Sequence, residues 1–294
     1  MYLIVGASGF VGSYAIREIL KETKEEILAT DKNVEGQEDT DRVQWMSCDI
    51  TVHEELCMLN ERLKGKKQIK VVYLAAYHHP DLVLANPHLA WNINITSLSD
   101  FLNTIENVEC LFYSSTEMVY KPGEMNVFFK EDAEKDPINA YGRHKMVAEQ
   151  IVVGYGYNVV RFPFLIGPCI LPGKKHFYDV IVETIQAGNS IEMFEDNFKT
   201  ALDFGTALST LVALMENYTS DMPKILNISG DEVLSKYEIG LKIADKYGCS
   251  RDLIVPISMK NDTKIFTEKR ANCTLLDNSA VKKTLGLKEL KLHF

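Results

Sequence analysis

Short apolar runs recur along the chain at residues 3–5, 27–30, 43–46, 71–74, 110–113 and 158–161. They are too short for helices and rich in Val, Ile, Leu and Tyr, the pattern of strands buried on both faces. Between them, residues 11–21, 53–63, 87–106 and 140–153 space their apolar side chains at the helical period. Strand and helix alternating to about residue 165 predict an α/β fold with a doubly wound parallel sheet. Beyond Gly167-Pro168 the alternation loosens. Residues 175–187, 205–217 and 236–247 read as helices, and 225–228 as a further strand. The expected division is one domain over 1–166, rejoined by 205–228, with a smaller lobe from 167–204 and 229–294.

Composition narrows the function classes. The 294 residues are 46% hydrophobic and 25% charged, as in ordinary globular proteins. A net charge of -9 repels nucleic acid and anionic lipid, so neither is an expected partner. A phosphorylated substrate would need a local basic pocket. The cysteines, at 48, 57, 110, 169, 249 and 273, form no CxxC pair, and no His/Cys cluster has metal-ligand spacing. They read as reduced apolar fillers, and no metal is expected. No apolar run approaches about 18 residues and no leader pattern is present, so the expectation is a cytoplasmic protein without a membrane span.

The first strand runs into Gly6-Ala7-Ser8-Gly9-Phe10-Val11-Gly12, a GxxGxxG spacing that opens an amphipathic helix. Gly6 permits the tight turn, Gly9 lets a pyrophosphate approach the backbone, and Gly12 allows close helix–strand packing. The free N–H groups at the helix start then face the phosphates. The second strand ends at Asp31, about twenty residues past the glycines. A carboxylate there accepts the adenosine-ribose hydroxyls and repels a 2′-phosphate, which favours NAD; the neighbouring Lys32 leaves NADP open. The competing reading of the glycines is a structural turn alone.

Tyr141 and Lys145 form a YxxxK pair on one helix face. A free phenol loses its proton near pH 10. An adjacent ammonium and a cationic nicotinamide would lower that value toward the range of a general acid/base. The fifth strand continues into Ser114-Ser115-Thr116, hydroxyls at a strand C-terminus, where ligands of open α/β sheets bind. Thr116 could hydrogen-bond the reacting oxygen; Ser115 could equally satisfy strand-end backbone.

Taken together, these motifs resemble the extended short-chain dehydrogenase/reductases, in the NAD-dependent epimerase/dehydratase family. The resemblance runs through Asp49-Ile50, Leu74-Ala75-Ala76-Tyr77, Asn94, residues 114–120 and the stretch from Arg161 to Pro168. It implies that Asp49 and Ile50 contact adenine. It also implies that Ser8, Phe10, Val11, Ala75, Ala76, Tyr77, Ser114 and Pro163 line the cofactor, and that Lys145 holds the nicotinamide ribose. Within the group the chain is similar to the dTDP-4-dehydrorhamnose reductase branch at Ala76–Asp81, Asp196–Phe198 and Arg270. The implied substrate is a nucleotide sugar, with His79, Glu117 and Phe164 as candidate substrate contacts.

Departures from the group bear on the chemistry. Dehydratases carry Thr-Asp-Glu where this chain has Thr116-Glu117-Met118, and a methionine cannot protonate a leaving hydroxyl. UDP-galactose-type epimerases place Asn where this chain has Phe164. His78 and His79 read as loop histidines near the substrate, with a catalytic role as the less favoured alternative. The expectation is a reductase or epimerase, working as a homodimer through helices 87–106 and 140–153, as many relatives of the group do. The rivals are a non-catalytic dinucleotide-binding regulatory subunit and a reductase of small non-nucleotide carbonyls.

Overall fold

In the computed structural model, residues 1–260 and 266–294 are described. Seven strands make one parallel sheet: β1 (Tyr2–Val5), β2 (Ile27–Asp31), β3 (Val43–Ser47), β4 (Ile69–Tyr73), β5 (Val108–Thr116), β6 (Asn158–Phe162) and β7 (Ile225–Asn227). Their spatial order is β7-β6-β5-β4-β1-β2-β3, the order of a doubly wound Rossmann-type sheet. Every pairing is parallel, so the strand C-termini share one edge. The winding direction reverses between β1 and β4, and a crevice opens at such a switch point.

β5 is longer than its apolar run suggests. Its pairing with β4 stops at Tyr113 opposite Tyr73, while Ser114, Ser115 and Thr116 continue against Val160, Arg161 and Phe162 of β6. Polar residues there stay in the ladder because β6 supplies their backbone partners. The sheet edge therefore steps forward at Thr116.

Helices cover both faces. Phe10–Glu22 and Phe204–Glu216 bury Tyr14, Ile19, Leu208 and Leu211 on one side. His53–Leu63, Ser97–Thr104 and Ala140–Gly154 bury Leu56, Leu59, Leu98, Phe101, Ala148 and Val152 on the other. Each such leucine or phenylalanine contributes about 1.5–3 kcal/mol of hydrophobic stabilisation.

The helix expected over 87–106 runs without a break from Pro87 to Thr104, with a wide π-helical turn at Asn92–Thr96 between Pro87–Trp91 and Ser97–Thr104, and a separate short helix, Pro80–Ala85, precedes it. Pro87 disfavours helical backbone at Asn86, where φ is -132°. Within the π turn, the Asn94 side chain clamps the chain leaving β4. Its Oδ1 accepts from the Tyr77 N–H at 2.8 Å, and its Nδ2 donates to the Tyr77 carbonyl at 3.1 Å.

The smaller lobe contains strands that the sequence pattern does not announce. Leu234–Ser235, Phe198–Lys199, Cys273–Leu276 and Phe128–Phe129 form a four-stranded sheet in that order, and Ile191–Phe194 pairs with Ile254–Ile257. Phe128–Phe129 comes from the stretch between β5 and β6, so the division expected from the sequence is crossed at that point. Helices Phe177–Gln186 and Lys236–Tyr247 pack around Ile181, Ile185, Ile239 and Ile243. Among the described residues, no helix is long and apolar enough to cross a membrane.

Candidate active site

A cleft of about 360 Å³ opens at the switch point. Its walls include Gly6, Ser8, Gly9, Asp31, Lys32, Asp49, Ile50, Ala75, Ala76 and Tyr77, ten of the residues expected to meet the cofactor. The three glycines of the loop differ in what requires them. A Cβ on Gly6 would lie 2.7 Å from the Ala75 nitrogen, and φ there is +88°; a Cβ on Gly12 would lie 2.4 Å from the Ala7 carbonyl. Chain packing accounts for both. A Cβ on Gly9 would meet only the Gly6 carbonyl, at an ordinary 3.6 Å. Nothing in the protein demands glycine there; a group lying close against the backbone would. The cleft therefore fits a dinucleotide pyrophosphate.

Asp31 is held by the same loop, accepting from the Ser8 N–H at 3.1 Å and the Ser8 hydroxyl at 2.8 Å. Lys174 reaches in from the smaller lobe and donates to the Ser8 carbonyl at 3.1 Å. Two residues of the loop contribute no side chain to the cleft: Phe10 packs edge-on against His176 and Val11 joins the core.

The Tyr–Lys helix Ala140–Gly154 starts at Asn139, whose Oδ1 accepts from the Gly142 N–H at 2.8 Å. The Asn139 Nδ2 donates to the Lys269 carbonyl at 3.1 Å, tying this helix start to the segment that carries Arg270. Lys145 is 2% exposed. Its ammonium donates to the Ser114 carbonyl at 2.6 Å and lies 4.4 Å from the Tyr113 ring centroid and 5.8 Å from that of Tyr141. Burial brings its pKa down to about 7 despite the Glu149 charge. The Tyr141 phenol differs from the sequence expectation. Burial, with the Glu117 charge second, raises its pKa above the ordinary value. A lysine that is itself only partly charged near neutral pH does not offset that desolvation. In the protein alone, Tyr141 is a neutral phenol, the proton-bearing form.

Below the pair lies a buried framework. Arg161 donates to Glu149 from Nε at 2.8 Å and from Nη2 at 2.7 Å, and its Nη1 bonds the Tyr120 hydroxyl. Ser115 donates to Glu149 at 2.6 Å, so its hydroxyl serves the framework and not a ligand.

A second cavity, of about 110 Å³, lies beyond Thr116 between the sheet edge and the smaller lobe. Glu117 and Phe164, expected to contact substrate, line it together with Met118, Asn139, Phe194, Asn197, Phe266, Lys199, Lys236 and Arg270. Lys199 pairs with Glu117 at 3.3 Å and Arg270 with Asp81 at 3.2 Å. The Arg270 guanidinium also stands 5.0 Å from the Phe266 centroid, and the Lys236 ammonium 4.1 Å from that of Phe164. The local basic pocket that the acidic composition hid is thus present. Asn139, which caps the Tyr–Lys helix, lines the second cavity. Burial and then the Lys145 charge lower the pKa of His78 in the cleft wall, and burial and then the Glu117 charge raise that of Tyr141.

His79 lies apart from both cavities, against expectation. It is exposed, precedes helix Pro80–Ala85 and faces Asp81 at 3.9 Å, because Pro80 is buried and turns the chain outward there. Lys199 and Lys236 were missed by motif reading. Lys236 carries a signal in hindsight: it is the first residue of helix Lys236–Tyr247, where the helix macrodipole disfavours a cation.

Residues 1–292 match the family described as RmlD substrate binding domain. The chain belongs to this family. The probable low-salt glycan biosynthesis reductase Agl14 of Haloferax volcanii is 27% identical over 100% of this chain and 95% of its own length. Methionine adenosyltransferase 2 subunit beta of Bos taurus is 23% identical over 74% of this chain and 65% of its own. Among solved structures, dTDP-4-dehydrorhamnose reductase of Bacillus anthracis in complex with NADP superposes with a TM-score of 0.79 at 18% identity, covering 99% of this chain and 94% of that one. That likeness shows that the RmlD-family chain shares the fold of this neighbour over nearly its whole length.

Proposed function

We propose that this RmlD-family protein is a cytoplasmic NAD(P)-dependent oxidoreductase, of reductase or epimerase type, acting on a sugar carbon of a nucleotide sugar. The observation that carries the reading is an aromatic and basic cavity lined by Glu117, next in the chain to Thr116, and by Asn139, the cap of the Tyr141 helix, in a chain that also has a dinucleotide cleft. The N–H donors of Arg270 and Lys199 suit a diphosphate, and Phe164, Phe194 and Phe266 suit apolar faces of a base or sugar. The reductase relative from Haloferax volcanii and the NADP-bound solved neighbour support the same class.

A nicotinamide held in the cleft would supply hydride exchange at the sugar carbon. The chain does the rest. In the reducing direction, Tyr141 gives its phenolic proton to the sugar oxygen, and in the oxidising direction it takes that proton back. Thr116, at the advanced edge of the sheet, holds the same oxygen through its hydroxyl. Lys145, fixed by the Ser114 carbonyl, holds the nicotinamide ribose and orients the Tyr141 ring. Asp31 and Ser8 receive the adenosine ribose, with NAD preferred, and the N–H groups at the start of helix Phe10–Glu22 face the phosphates.

The test is a panel of nucleotide sugars and simple carbonyls with NADH and NADPH, read by absorbance and by product NMR, since epimerisation leaves no net absorbance change. Tyr141→Phe should cut turnover by about a hundredfold or more and leave dinucleotide affinity unchanged. Full activity in that variant would end the proposed proton path. One observation favours a second reading, a non-catalytic regulatory subunit: the likeness to subunit beta of methionine adenosyltransferase 2. Tight dinucleotide binding with no turnover across the panel would move that reading ahead. We further propose a homodimer through the helices of residues 87–104 and 140–154, near which Leu89, Trp91 and Tyr155 are exposed. A monomeric mass by light scattering at micromolar concentration would rule it out.

A further inference from the structure

The three cations of the second cavity are not equivalent. Lys199 is neutralised by Glu117 and Arg270 by Asp81. Among the described residues, the Lys236 ammonium has neither an ion pair nor a hydrogen-bond acceptor. It rests over Phe164 at 4.1 Å, with the Phe177 centroid 5.8 Å away.

Two features make this placement costly unless an anion joins it. Lys236 begins a twelve-residue helix, so the positive end of the helix and the ammonium add in one place. The helix start is already capped by Ser235 and Glu238, but that box satisfies backbone N–H groups and leaves the ammonium untouched. The charged groups acting on Lys236 are Lys199, Arg270 and Glu117, two of them repulsive and the third already paired. Burial adds to this and holds its pKa down to about 8.

The position of Lys236 says which part of a substrate it meets. Phe162 pairs in register with Thr116, and Phe164 follows two residues later, at the same strand-end edge. Lys236 stands over that Phe164 ring, so the strand-end register puts it on the Thr116 side of the cavity, where a sugar would lie for Thr116 to reach its oxygen. Arg270 sits with Phe266, and Phe266 with Phe194 at 5.9 Å, as a separate cation–aromatic group. The cavity thus offers one anion site in which the cation is stacked on Phe266 and a second, unneutralised, beside Phe164.

We propose that Lys236 is a specificity-determining residue that receives a carboxylate carried by the sugar, so that the substrate class is a nucleotide-linked acidic sugar. This rests on the nucleotide-sugar reading above. A neutral sugar at the same place would leave the ammonium without a counter-charge, whereas a carboxylate supplies one.

Calorimetric titration of the full chain, with NAD or NADP present, tests it. The probes are the uridine and thymidine nucleoside diphosphates alone, their glucose conjugates and their glucuronic acid conjugates. The glucuronic acid form should bind at least tenfold more tightly than the glucose form. Lys236→Gln should bring the two within about twofold of each other, Lys236→Arg should keep the preference, and neither should alter binding of the bare nucleoside diphosphate. Equal affinity for the two sugars in the wild type, or a preference that survives in Lys236→Gln, would overturn the inference and leave the nucleotide-sugar reading standing. So would equal weakening of all probes by Lys236→Gln, which would place Lys236 on the diphosphate. Failure of every nucleotide probe to bind would remove the nucleotide-sugar reading itself, and the inference with it.

Discussion

The two cavities are built by opposite means. The cofactor cleft is built at strand ends: the glycine turn after β1 and the segments that follow β2, β3 and β4 supply most of its wall. The second cavity is mostly side chain, drawn from residues between 117 and 271 and held together by ion pairs and cation–aromatic contacts. A glycine turn tolerates no added atom where chain meets chain, but is indifferent to most side-chain chemistry. A side-chain site can be re-equipped one residue at a time while the sheet beneath it stays the same. That contrast accounts for a chain with a familiar cleft and departures at Met118 and Phe164 in the neighbouring cavity.

The contrast is most sharply tested at Gly12. Gly12→Ala forces a methyl against the Ala7 carbonyl, a contact of rigid backbone on both sides. Overpacking of that kind costs about 1–3 kcal/mol. Dinucleotide affinity should fall by up to about a hundredfold and the melting temperature should drop. Wild-type affinity in fluorescence titration would show that the cleft is more compliant than its geometry indicates.

In the second cavity, Lys199→Met should leave dinucleotide affinity intact and raise the substrate KM by about tenfold or more, since hydrogen bonds to charged groups contribute about 1.5–3 kcal/mol. Its partner Glu117 would be left buried and unpaired. Loss of dinucleotide binding in this variant would mean that the two cavities are not separable.

Lys145, on the Tyr–Lys helix, offers a pH test. Unfolded, it keeps its proton to about its ordinary 10.5; folded, it sheds it at about 7. Between those values the unfolded chain holds the extra proton, so stability from this residue rises with pH, by at most about 1.4 kcal/mol per unit. Below pH 7 both states are charged and the burial penalty is felt in full. In urea unfolding without cofactor, Lys145→Met should be favoured over wild type most at pH 6, and the difference should shrink by pH 9. A constant difference would mean that the ammonium finds compensation within the fold.

The smallest effect is expected at Asp31. Asp31→Ala removes the acceptor of both Ser8 bonds and should shift the NAD to NADP affinity ratio toward NADP. If wild type already binds NADP more tightly, the role assigned to this carboxylate is wrong.

The same contrast explains what the sequence disclosed. β1 to β4, the glycine turn and the Tyr–Lys helix were legible because each is a local pattern of apolar spacing and turn residues. The last three residues of β5 were legible as hydroxyls at a strand end, but not what holds these polar residues in the ladder, which is β6 extending beside them. The two-residue strands of the smaller lobe, such as Phe198–Lys199, are too short to show a period. The second cavity joins residues more than a hundred positions apart, and no motif spans that distance. The raised proton affinity of Tyr141 in the protein alone was not legible, because spacing reveals a neighbouring cation but not how burial shifts the two groups.

Asn139 adds a mechanical consequence. One buried amide caps the helix of Tyr141 with its oxygen and grips the Lys269 carbonyl with its nitrogen. The helix of Tyr141 and the segment bearing Arg270 therefore share a single bearing, and a displacement of either strains the same two hydrogen bonds.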